Sequence, residues 1–144
     1  MEKILKKLKS NFKNDVLEIF QPSKKRVFVK IKNESLLNIV RFLHKDMGLR
    51  FIIASGSDLK EGFEIIYHFS DDSTGGIINL RVLLPHNNPE IESLTQVFEG
   101  AEWIEREIWE LLGINFKNHP NLKRLLLPEE LEGKYPLRKG PNYE

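Results

Sequence analysis

Two runs of alternating hydrophobicity, separated by a turn-forming stretch, constrain this chain most. In Gly62–Ser70, Phe63, Ile65, Tyr67 and Phe69 fall on one face, and in Gly76–Leu84, Ile78, Leu80, Val82 and Leu84 do the same. A period of two describes a strand with one face toward a core. The intervening DDSTGG is flexible enough to close an antiparallel hairpin. A sheet that is apolar on one side must be covered, and helical patterns on either side of these strands offer the cover.

Ahead of them, Ile4, Leu5, Leu8 and Phe12 share a helical face in Glu2–Phe12, with lysines around it. Two β-prone runs follow, Asp15–Phe20 and Arg26–Ile31, joined by QPSKK as a hairpin connection. Asn33 suits the N-cap of a helix reaching Met47, with Leu36, Val40, Leu43 and Met47 as its stripe and Leu37 and Ile39 widening it. Gly48 stands where a left-handed cap wants glycine. A strand at Arg50–Ala54 is closed by SGSD, and the polar PHNNPEIES leads to a last helix, Ala101–Gly113. The order helix, hairpin, helix, three strands, helix predicts an α+β single domain, with a mixed or antiparallel sheet and helices packed on one face. At 144 residues the chain is long enough to bury about 70% of its unfolded surface.

Beyond Gly113 the pattern changes. INFKNHPNLKRLLLPEELEGKYPLRK is too apolar for disorder and shows no sustained helical or strand period. Residues 1–113 therefore read as an α+β core and residues 114–144 as an irregular C-terminal arm that docks on a partner subunit. Within the arm, Pro120 suits the first position of a short helical turn, with Leu122, Leu125 and Leu126 on one face.

Composition removes several function classes. No cysteine is present, so this chain holds no disulfide, cysteine-ligated cluster or cysteine nucleophile. The formal net charge of +1 gives no whole-molecule field toward nucleic acid. No run approaches the roughly 18 apolar residues of a membrane span. MEKILKKLKS does not read as a secretory signal, which predicts a cytoplasmic protein whose membrane association is peripheral. His44, His68, His86 and His119 lack metal-ligand spacing, and no nucleophile elbow, Walker A or dinucleotide fingerprint occurs.

The last helix carries Glu102, Arg106 and Glu110 at ion-pair spacing, and its stripe is Ile104, Ile108, Leu111 and Leu112. That describes a surface helix laced by salt bridges. Glu105 and Glu107 point in different directions, a poor acid/base pair. An acid/base enzyme built on Glu105, Glu107 and His119 requires a pocket where the three converge. A nucleic-acid module built on Lys3 to Lys13 and the arm's basic residues requires salt-dependent binding. Trp103 and Trp109 cannot both lie at the centre of one stripe, so one of them faces the arm or a partner.

Three blocks stand in order: Glu105-Arg106-Glu107 with Trp109-Glu110-Leu111-Leu112-Gly113-Ile114 and Phe116; His119-Pro120-Asn121-Leu122-Lys123-Arg124-Leu125-Leu126; and Gly133 with Pro136-Leu137-Arg138-Lys139. They resemble the 30-kilodalton subunit family of respiratory complex I and its relatives in membrane-bound nickel–iron hydrogenase complexes. Glu110 and Gly140 stand where that family usually has aspartate. The resemblance implies a non-catalytic peripheral-arm subunit of a membrane-bound NADH:quinone oxidoreductase, or its hydrogenase- or ferredoxin-linked equivalent, with no cofactor of its own. Its partners would be the large 49-kilodalton-type, hydrogenase-like subunit and other peripheral-arm subunits, and it would reach the membrane only through the complex. The contact set it implies is Glu105, Arg106, Glu107, Trp109, His119, Arg124, Leu125, Leu126, Tyr135, Arg138 and Lys139. Arg106, Arg124 and Arg138 would be ion-paired anchors, and Leu125, Leu126 and Tyr135 apolar contacts.

Overall fold

A computed structural model describes residues 1–123 and 134–140. The fold is α+β, as the patterning predicts, built on a five-stranded sheet in the order β1-β2-β5-β4-β3. Its strands are β1 (Val16–Ser23), β2 (Arg26–Ile31), β3 (Arg50–Leu59), β4 (Gly62–Asp71) and β5 (Gly76–Leu84). Strand β2 runs antiparallel to β1 and parallel to β5, so the sheet is mixed. Neighbours β4 and β5 are joined by only a short turn, which forces them antiparallel. The chain divides into two compact units, residues 1–53 with 66–82, and residues 54–65 with 83–144.

In the first unit, helix α1 (Glu2–Asn11) buries Ile4, Leu5 and Leu8 and leaves its lysines outside. Strand β2 buries Val27, Val29 and Ile31, and β5 buries Ile78, Leu80 and Val82, the alternation read from the sequence. Each such side chain contributes about 1.5–3 kcal/mol when fully buried. Strand β1 extends through Pro22 to Ser23, past the expected end at Phe20, with register irregularities after Val16 and after Phe20. As an edge strand it tolerates a residue with no N–H.

The second helical stretch departs from a simple α-helix. Lys32 is the extended residue in front of it; a 3-10 turn covers Asn33–Ser35, helix α2 covers Leu36–Arg41, and a π turn covers Phe42–Asp46. A π turn shifts the register by one residue. Phe42 and Leu43 are both buried, Met47 is only half-buried, and Leu49, beyond the helical stretch, is buried. Gly48, at φ 71°, makes the left-handed exit. Phe42 packs edge-on against Phe12, ring centroids 5.4 Å apart. Asn79 is buried on β5, donating to the Val27 carbonyl at 3.0 Å and accepting from His68 Nδ1 at 2.6 Å.

In the second unit, β3 runs on through SGSD to Leu59 rather than ending at Ala54. Turn-forming residue types are held extended there because the backbone at Gly56 lies against the side chains of Leu112 and Ile108. PHNNPEIES is not a plain linker. It contains β6 (Glu90–Glu92), which pairs in parallel with β7 (Asn115–Lys117) and buries Ile91 against its partner Phe116. Between them lie a 3-10 turn (Leu94–Gln96) and helix α3 (Ala101–Leu112), a crossover that parallel pairing requires. The first residues of the arm thus form a strand.

Candidate functional site

Helix α3 ends at Gly113, which adopts φ 77° and returns its N–H to the Trp109 carbonyl at 2.7 Å. The helix's buried face differs from the apolar stripe. It comprises Ala101, Glu105, Arg106, Ile108, Glu110 and Leu112, whereas Ile104 and Leu111 are only half-buried. The charged residues lie inside because groups distant in sequence satisfy them.

Glu105, 1% exposed, accepts from the Ser93 hydroxyl at 2.5 Å and the Leu94 N–H at 2.7 Å. Burial raises its carboxyl to about 7, prevailing over those two hydrogen bonds, which favour the anion. Arg106, 5% exposed, donates from Nε to the Lys123 carbonyl at 3.1 Å and lies 5.1 Å from the ring centre of Trp103. Glu110 is fully buried. Of the two tryptophans, Trp103 is 58% exposed and Trp109 half-buried.

The chain beyond β7 returns to this helix. His119 Nε2 donates to the Glu102 carbonyl at 3.0 Å, and Nδ1 accepts the Asn121 N–H at 3.0 Å, which selects the neutral Nε2–H tautomer. Residues 120–123 are not helical, and the remainder of the turn expected from Pro120 lies outside the described residues. Downstream, Leu137 N–H donates to the Leu111 carbonyl at 3.0 Å and Arg138 Nε to the Leu112 carbonyl at 2.6 Å. These bonds satisfy two of the carbonyls that a helix C-terminus leaves open. The Arg138 guanidinium lies 4.6 Å from the ring centre of Tyr135 and 5.1 Å from that of Phe63. Lys139 N–H donates to buried Asp58 Oδ2 at 2.7 Å, while Asp58 Oδ1 takes His86 Nε2 at 2.8 Å.

Of the residues singled out by sequence, Tyr135 and Arg138 come together over Gly113, where an added Cβ would stand 2.5 Å from Arg138 Nη2 and 2.9 Å from the Tyr135 ring. Lys139 is exposed beside them. Glu105 and Arg106 face groups of their own chain; Glu107 and Trp109 are half-buried on α3. Arg124, Leu125 and Leu126 lie outside the described residues. Glu105 and His119 hold different partners, Ser93 and Leu94 for one and the Glu102 carbonyl and Asn121 for the other. A cleft of about 420 Å³ nearby is lined by Thr95, Gln96, Glu99, Glu102, Asn118 and Pro120, and not by Glu105, Glu107 or His119. Beside it Glu92 is held below the usual carboxylate range, by Asn118 first and then Gln96. Sequence reasoning missed Asp58, Phe63, His86 and Ser93 as partners of this region. Their contacts span long separations and leave no local pattern.

Among the described residues, no helix is long and apolar enough to cross a membrane, and no group of three or more His, Asp or Glu is placed to hold a metal ion. Comparison with known proteins bears on the whole arrangement. The C subunit of the F(420)H(2) dehydrogenase of Methanosarcina mazei is 33% identical, the alignment covering 94% of this chain and 88% of that protein. The C subunit of the NADH-quinone oxidoreductase of Citrifermentans bemidjiense is 32% identical, with 96% and 90% covered. The fold matches the trypsin-resistant fragment (1–134) of Nqo5 with a TM-score of 0.70 at 23% identity, over 84% of this chain and 98% of that one. It also matches a chain of the membrane-bound sulfane sulfur reductase, an archaeal respiratory membrane complex, with a TM-score of 0.86 at 17% identity, over 99% and 85%. The model of the respiratory-chain NADH dehydrogenase 30 kDa subunit matches residues 29–144, which include the second half of β2, all of β3 to β7, α3 and the C-terminal segment. The chain belongs to the respiratory-chain NADH dehydrogenase 30 kDa subunit family.

Proposed function

We propose that this chain is a non-catalytic subunit of the peripheral arm of a membrane-bound, complex I-type oxidoreductase. It docks on the large hydrogenase-related subunit and stabilises it, reaching the membrane on the cytoplasmic side through that assembly. The observation that carries this reading is the family match over residues 29–144, which takes in α3 and everything after it. The geometry is consistent with it. Glu105, Arg106 and His119 hold α3 and the following chain in place, and Trp103, Leu137, Arg138 and Lys139 are left at the surface. Exposed tryptophan and arginine are the residue types that most often anchor interfaces.

The core serves as the scaffold, and the residues after Gly113, with Arg124, Leu125 and Leu126 among them, supply the docking contacts. Arg124→Ala should weaken association with the large subunit in a pull-down and leave the turnover of complexes that do assemble unchanged. Wild-type binding combined with lost turnover in the assembled complex would count against docking. A second reading keeps the role and changes the electron donor. It is favoured by the F(420)H(2) dehydrogenase relative at 33% identity. Nickel-ligand cysteines in the neighbouring large subunit would place the complex with the hydrogenases.

A further inference from the structure

Arg138 is exposed yet fixed from several sides. Its Nε is engaged by the Leu112 carbonyl, and its guanidinium lies against the rings of Phe63 and Tyr135. The backbone on either side is fastened as well, Leu137 N–H to Leu111 and Lys139 N–H to Asp58. Asp58, its side chain 1% exposed, also takes His86 Nε2, and the His86 ring stands edge-on to Phe63 at 4.9 Å between centroids. The contacts close a circuit: Asp58 to His86, His86 to Phe63, Phe63 to Arg138, and Lys139 back to Asp58. Among the described residues, the Nη groups of Arg138 donate no hydrogen bond, and the residue is exposed.

We propose that Asp58, His86 and Phe63 are positioning residues that hold Arg138 as a preformed receptor for a carboxylate side chain of a partner protein. This rests on the reading of the chain as a docking subunit. A planar guanidinium already stacked and oriented loses little further freedom when a carboxylate takes both Nη donors. The surroundings match an acidic protein surface. Leu137, 52% exposed, lies between Arg138 and exposed Pro136, with exposed Lys139 and Lys134 near in sequence. An apolar side chain beside cations suits a protein partner better than a free anion. The nearby acid, Asp58, is buried and already engaged.

The test uses tagged full-length chain expressed in its native host, with retention in the membrane-purified complex measured across a sodium chloride titration. Arg138→Gln should lower retention about tenfold and flatten its salt dependence. Arg138→Lys, which keeps the charge without the fork, should recover only part of the loss. Asp58→Ala and Phe63→Leu should each lose several-fold. In the Arg138→Gln background Asp58→Ala should add less than about twofold, the non-additivity of groups acting through one another. Should Asp58→Ala fail to fold by circular dichroism, His86→Ala makes the same test from a partly exposed ring. If wild-type chain co-purifies but Arg138→Gln is retained like wild type, or the two losses multiply in full, Arg138 is not the preformed receptor and the docking reading survives. If wild-type chain co-purifies with no partner, both fall.

Discussion

Glu105 should make the stability of this protein fall as pH rises through neutrality. The carboxyl is 1% exposed on α3, and burial lifts it from an ordinary 4.5 to about 7. The folded state therefore binds a proton that the unfolded chain releases near pH 4.5. Stability from this source is fully present below that value and is lost as pH rises through about 7. A shift of that size corresponds to roughly 3 kcal/mol, at about 1.4 kcal/mol per pH unit. Glu105→Gln keeps an oxygen for the Leu94 N–H and an amide within reach of the Ser93 hydroxyl, and it cannot ionise. Urea unfolding of both proteins at several values between about pH 5 and 8 isolates this group by difference, because every other titration is shared. The difference should move toward the variant with rising pH, by up to roughly 3 kcal/mol across the window. Parallel curves, or a wild type that gains on the variant as pH rises, would refute the argument.

Other perturbations follow from single contacts. Gly113→Ala places a Cβ 2.5 Å from Arg138 Nη2 at a φ of 77°, and it should cost about 1–3 kcal/mol. It should also speed exchange of the Leu137 amide bonded to Leu111; protection equal to wild type would contradict this. Asn79→Ala removes the side chain that bridges Val27 and His68 and should cost about 1–3 kcal/mol in chemical unfolding. A cost below about 0.5 kcal/mol would mean those groups repartner readily. Trp103→Ala should change the isolated chain's stability by less than about 1 kcal/mol while weakening its retention in the complex about tenfold or more. Unchanged retention would remove Trp103 from the interface.

Where a pattern is long and its environment one-sided, sequence and structure agree. Phe63 to Phe69 and Ile78 to Leu84 alternate without a break, and every member of both sets is buried. The end of α3 is legible for a local reason, since glycine at position 113 suits the left-handed exit it makes. Disagreement arises where tertiary partners override local chemistry. SGSD has the composition of a turn, yet its residues continue β3, with Asp58 inward to meet His86 and Lys139. Strands β6 and β7 are three residues each, too short for any period to register. Helical periodicity sorts residues by polarity, so Glu105, Arg106 and Glu110 read as a solvated face although all three are buried. Ser93, Leu94 and Lys123, which satisfy two of them, cannot be found from spacing on the helix. The candidate site is half legible for the same reason: the residues of the motif are readable, and those that orient them are not.

What this chain is bound to in its own cell decides its role most directly. Affinity purification of the tagged, full-length chain from native membranes, with mass-spectrometric identification of what comes with it, should recover the large hydrogenase-related subunit and other peripheral-arm subunits in fixed stoichiometry. Recovery of the chain alone from wild-type membranes, or of a redox centre or turnover belonging to the isolated chain, would contradict it.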